Sequence, residues 1–85
     1  MKKMYEVRVT PTFSKGLKNL EQPTQIKILN EITILKADPY AGKLLHGDWK
    51  GVYSLRTGKY RVLYAIKGNI VELLLVDHRK QVYKK

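Results

Sequence analysis

The sequence predicts an α+β fold: a small antiparallel-rich sheet with a two-helix hairpin on one face, in the order β-α-α-β-β-β. Three observations predict it. The run Tyr53-Ser54-Leu55-Arg56-Thr57-Gly58-Lys59-Tyr60-Arg61-Val62-Leu63-Tyr64 alternates with period two about a glycine turn, the pattern of a β-hairpin. Two earlier stretches repeat their apolar residues at helical spacing. Residues 70–76, Ile-Val-Glu-Leu-Leu-Leu-Val, are almost continuously apolar, as a central strand buried on both faces is.

The elements follow in order. From Met4 to Thr10, Tyr5, Val7 and Val9 alternate with Glu6, Arg8 and Thr10, which reads as a half-buried strand. Pro11 stops it, and Thr10 is placed to cap a helix beginning at the proline. Phe13, Leu17 and Leu20 form the apolar stripe of that helix, while Gly16 inside it costs about 1 kcal/mol relative to alanine. The helix must therefore lean on packing. Pro23 opens a second helix with Ile28, Leu29, Ile32 and Leu35 on one side and Lys27, Asn30, Glu31 and Lys36 away from it. It should stop near Ala37, because Asp38 precedes Pro39. Both stripes need a sheet to cover. Residues 38–51 read as a long loop whose leucines and Trp49 pack down; Trp49 is read as a core plug in preference to a base-stacking platform. Gly68-Asn69 turns the chain into the last strand.

Eighty-five residues make one domain, 1–85, with a core too small for a deep cofactor cavity. The formal net charge of +10 points to a polyanionic partner. The charge is uneven: residues 1–42 hold seven Lys/Arg against four Asp/Glu, and residues 43–85 hold ten against three. There is no cysteine, and His46 and His78 alone are too few for a metal cluster, so neither metal nor cofactor is expected. No apolar run reaches the length of a membrane span and Met1-Lys2-Lys3 does not lead into a signal peptide, so the expected location is the cytoplasm.

On the hairpin, the Tyr/Leu/Val set faces the core, which sends Arg56 and Arg61 to the other face, one on each strand. Two adjacent guanidinium groups repel, and phosphate between them explains their presence, because guanidinium matches it bidentately. Solvated edge charges are the simpler alternative.

Leu44-Leu45-x-Gly47, then Tyr53-Ser54-Leu55-Arg56-x-Gly58-x-Tyr60-Arg61-Val62-Leu63-Tyr64, then His78-Arg79-x-x-Val82-Tyr83 resembles the RelE/ParE toxin superfamily, in its RelE-type branch, over essentially the whole chain. The resemblance implies a type II toxin acting as a ribosome-dependent, metal-independent mRNA endoribonuclease. Such a toxin enters the ribosomal A site, contacts rRNA and cuts mRNA by attack of a 2′-hydroxyl on the adjacent phosphate. It also implies a RelB-like antitoxin partner, in a hetero-oligomer. By the same resemblance Arg61 holds the scissile phosphate, Arg79 is a second phosphate-directed arginine, Tyr83 stacks on or activates the substrate and His78 assists the chemistry. Arg56, Lys50 and Lys59 are assigned to phosphate or rRNA. The chain departs from the family where members carry two strand lysines: Val52 and Ser54 stand there, and Lys50, Lys59 and His78 are the alternatives for the base.

The chemistry suits these residue types. Transesterification needs a proton removed from the 2′-hydroxyl, charge stabilised on the phosphorane and a proton given to the leaving 5′-oxygen. Arginine serves the second need and imidazole, with an ordinary pKa near 6.5, the first or third. The alternatives are a ParE-like inhibitor of DNA gyrase that cuts nothing, and a catalytically weak homologue that only binds RNA or antitoxin.

Overall fold

Where the alternation breaks, at Thr10-Pro11, the chain turns from its first strand into its first helix. The computed structural model describes residues 4–81. Strand β1 spans Glu6–Val9 and helix α1 Pro11–Lys18. Thr10 caps α1, its Oγ1 accepting the Phe13 N–H at 3.2 Å and donating to Leu73 O at 2.9 Å. One side chain thus satisfies an orphan helix donor and ties the helix start to the sheet. Gly16 is explained by packing: a Cβ there would stand 2.9 Å from Val76 O. The missing methyl lets α1 lie close on the last strand.

Helix α2 spans Gln22–Ile32 with proline in its first turn and continues as a 3₁₀ turn over Thr33–Lys36. Three of the four stripe residues are buried, Ile28, Ile32 and Leu35, but Leu29 is exposed. The cause is geometric. Consecutive residues differ by about 100° around a helix, so a helix on a sheet buries one of two neighbours. Val9 is likewise exposed, because β1 is an edge strand whose end lies outside the helix-covered core.

The segment 38–51 is not wholly a loop. It contains a two-residue strand, β2 (Lys43–Leu44), and a 3₁₀ turn at Gly47–Trp49, with Trp49 half-buried. Strands β3 (Tyr53–Thr57), β4 (Tyr60–Lys67) and β5 (Ile70–His78) follow. The sheet order is β1-β5-β4-β3-β2, with β1 parallel to β5 and the other pairs antiparallel. The middle strand is therefore β4, with β5 beside it. A register shift at Leu63/Tyr64 leaves Leu74 as an extra residue in β5.

α1 packs chiefly on β5 and α2 on β3. Between helices and sheet lie Phe13, Ile28, Ile32, Leu35, Val62, Tyr64, Val71, Leu73 and Val76. Each such large side chain contributes about 1.5–3 kcal/mol on full burial. Tyr64 is fully buried, yet its hydroxyl is satisfied: it donates to Pro39 O at 2.8 Å and accepts the Gly42 N–H at 2.9 Å. That phenol pins residues 39–42 to the sheet and so delivers β2 to the edge of β3. Burial pushes its pKa up from 10.0.

Candidate functional site

The turn between β3 and β4 sets the register of the site. Gly58 holds φ +65° there, a left-handed conformation that glycine adopts without strain. The register places Arg56 directly opposite Arg61. Both leave the sheet on the face away from the helices, since Leu55 and Val62 beside them pack toward the core. One strand further, Asp77 stands opposite Arg61. The row carries two positive charges and one negative, so Asp77 offsets the repulsion only in part. Directly opposed like charges destabilise a strand pair.

Arg61 is half-buried, and its Nε is closed to solvent with no hydrogen-bond partner among the described residues. Asp77 Oδ1 accepts the His78 N–H at 2.7 Å. The face around the arginines is not bare. Leu63 on it is fully buried and Ser54 nearly so, leaving Arg56 as the exposed cation of the row.

Arg79 follows β5 directly. Its N–H donates to Lys59 O at 2.9 Å, which holds it against the hairpin turn. Arg79, Lys59 and Arg56 line one groove at this end of the sheet, which Arg61 does not line. Arg56 is common to the open-face row and the groove. His78 pairs with Tyr60, so it lies on the helix-side face, opposite to Arg61. Its ring meets Tyr60 edge-on at 5.7 Å, and its Nδ1 accepts the Lys80 N–H at 3.2 Å. With Nδ1 accepting, the neutral imidazole carries its proton on Nε2. Lys50 is exposed in the connection that enters β3, remote from the 57–60 turn. Val82 and Tyr83 lie outside the described residues.

Val52 is half-buried and Ser54 faces Leu63 across the strand pair, so neither brings a charge to the row. Lys27 does. Its Nζ lies 3.2 Å from the position a Cβ on Gly58 would take, which hangs the ammonium over the turn. The sequence places Lys27 only as a residue away from the apolar stripe of this helix. Its one signal was position: it immediately precedes the buried Ile28. Among the described residues no group of three His, Cys, Asp or Glu side chains gathers as metal ligands do. No helix among them is long and apolar enough to cross a membrane.

The family described as the ParE toxin of type II toxin–antitoxin system, parDE, matches residues 7–83. The chain is 35% identical to Toxin RelG of Mycobacterium tuberculosis over 86 residues, covering 95% of this chain and 98% of the other. Among solved structures, a chain of the toxin–antitoxin complex RelBE2 from Mycobacterium tuberculosis superposes with TM-score 0.80 at 34% identity, covering 89% of this chain and 92% of that one. The archaeal RelE–RelB complex from Pyrococcus horikoshii shares the fold, with TM-score 0.76 at 24% identity over 89% and 96% of the two chains. With its sheet order, helical layer and near full-length matches, the chain belongs to the RelE/ParE superfamily of type II toxin–antitoxin toxins.

Proposed function

We propose that this toxin is a ribosome-dependent mRNA endoribonuclease that arrests translation. One observation carries the reading: two arginines directly opposed on a sheet face, one with a buried Nε that has no hydrogen-bond partner among the described residues. A phosphate between them relieves the repulsion and supplies acceptors. In the reaction a ribose 2′-oxygen bonds to the adjacent phosphorus while the bond to the 5′-oxygen breaks. The 2′-hydroxyl gives up a proton, and the leaving 5′-oxygen takes one.

Arg61, with Arg56 beside it, stabilises the phosphorane charge. Arg79 supplies a further guanidinium at the same end of the sheet, and Tyr83 is assigned to the substrate. His78 projects from the face opposite to Arg61, so no proton transfer at this phosphate is assigned to it. Lys59, beside Arg79 at the turn, is then better sited than the remote Lys50 to assist at the base position. A small, open site aligns RNA poorly by itself, and the ribosome provides the alignment.

The proposed protein partner is an acidic, amphipathic antitoxin segment that orders on binding. The RelBE2 and RelE–RelB complexes among the similar structures support it. Expression in growing cells followed by primer extension on cellular mRNA tests the nuclease. Codon-phased cuts that fall about 100-fold or more with Arg61→Ala are expected. Intact mRNA with damaged DNA would instead assign the toxin to gyrase.

A further inference from the structure

The groove between α2 and the hairpin turn holds cations that the open-face arginines do not account for. Its volume is about 530 Å³, within the range of small-ligand sites. Lys27, Arg56, Lys59 and Arg79 line it, and among the described residues no Asp or Glu does. Four cations converge with no acid on the walls. Their mutual repulsion is unfavourable unless an anion enters. Lys27 comes from a different element than the rest, and the absent Cβ of Gly58 leaves room for its ammonium above the turn. Tyr60 supplies a half-buried aromatic wall, braced edge-on by His78.

We propose that this groove is a nucleotide subsite, taking the phosphate of one single-stranded RNA nucleotide among Lys27, Lys59 and Arg79, with its base or ribose against Tyr60. The inference rests on the reading of the protein as an RNA-directed toxin and adds a residue, Lys27, to it. An RNA nucleotide fits better than an acidic peptide for two reasons. A cationic groove with an aromatic wall accommodates both the charge and the π-face of a nucleotide, whereas a carboxylate side chain uses only the charge. The volume also exceeds what one carboxylate fills.

The test is binding of a 5′-phosphorylated tri-adenylate to the purified chain over a salt series, with Lys27→Gln and Lys27→Arg compared. Lys27 is exposed, so both variants are expected to fold, and circular dichroism checks that. Lys27→Gln should weaken binding about three- to fivefold and reduce the slope of log affinity against log salt by about 0.7, one phosphate contact on a single strand. Lys27→Arg should restore both. Adenosine 5′-monophosphate should shift the amide resonances of Gly58 and Tyr60. Affinity and slope unchanged in Lys27→Gln, or no measurable RNA binding by the wild type, would overturn the proposal. So would a hexaglutamate peptide that binds in a Lys27-dependent way while the RNA does not, which would give the groove to an acidic protein. Intact mRNA in a translating extract, with Lys27-dependent binding retained, would defeat the nuclease reading and leave the subsite standing.

Discussion

Arg56→Gln should make the free protein more stable while impairing its toxicity. Arg56 and Arg61 are direct cross-strand partners, and Lys27, Lys59 and Arg79 crowd the same end. Opposed Cβ atoms on a sheet stand about 5 Å apart, and a separation of about 7 Å is taken for the two guanidinium centres. Coulomb's law then gives a repulsion of about 0.6 kcal/mol at the dielectric of water and about 2.4 kcal/mol at an effective value of 20. Arg56 is exposed, which favours the lower figure, and Asp77 opposite Arg61 offsets part of it. The expected gain is about 0.5–1 kcal/mol, an increase of about 2–8 °C in melting temperature for a chain of this size. Thermal unfolding at low ionic strength measures it. In 1 M salt the screening length is about 3 Å and the gain should nearly vanish. A variant that melts at or below the wild type at low salt refutes the repulsion, and a gain unaffected by salt refutes its electrostatic origin.

Gly16→Ala gains about 1 kcal/mol of helix propensity but drives a methyl to 2.9 Å from a strand carbonyl that cannot yield, so a net loss of about 1–2 kcal/mol in urea unfolding is expected; equal stability would show that α1 can lift off β5. Tyr64→Phe removes a donor to Pro39 O and an acceptor for Gly42 N–H, for a loss of about 1–3 kcal/mol. Because burial raises the Tyr64 pKa, its neutral form contributes fully below 10.0 and that contribution is lost as pH climbs from 10.0 through the higher folded value. Stability titrated above pH 10 should therefore fall less steeply in Tyr64→Phe. Thr57 Oγ1 is buried with no hydrogen-bond partner among the described residues, so Thr57→Val should raise stability by up to about 1 kcal/mol in the same assay; a loss greater than that would reveal a partner for the hydroxyl.

The hairpin was legible because a sheet's side chains alternate with fixed period. Once Leu55 and Val62 face the core, Arg56 and Arg61 must share the other face, and the glycine turn sets them opposite each other. The Thr10 cap and Pro11 were legible for the same local reason. What the sequence hid depends on contacts between distant segments. β2 has two residues, too few for any period, and is held in place by the Tyr64 phenol more than twenty positions away. Leu29 belonged to an apolar stripe by spacing, yet it faces away from the buried Ile28 and Ile32. His78 and Arg61 seemed fit to act together, but pairing with Tyr60 and Asp77 puts them on opposite faces. Only the packing of distant segments brings the Lys27 ammonium over Gly58.

The two sets of cations bear on each other through that turn. Arg56 and Arg61 stand on the open face, Lys27, Lys59 and Arg79 line the groove toward α2, and Arg56 is shared. A compact anion can satisfy one set only. A polyanion strand passing over the sheet end at Gly58, where the Lys27 ammonium hangs above the turn, can engage both. Repulsion that is unfavourable in the free toxin then becomes attraction distributed along the bound strand, and every cation brought into register strengthens the salt dependence. On the proposed reading, a chain of phosphates is favoured over a single one by the spacing of charges over a rigid hairpin rather than by enclosure.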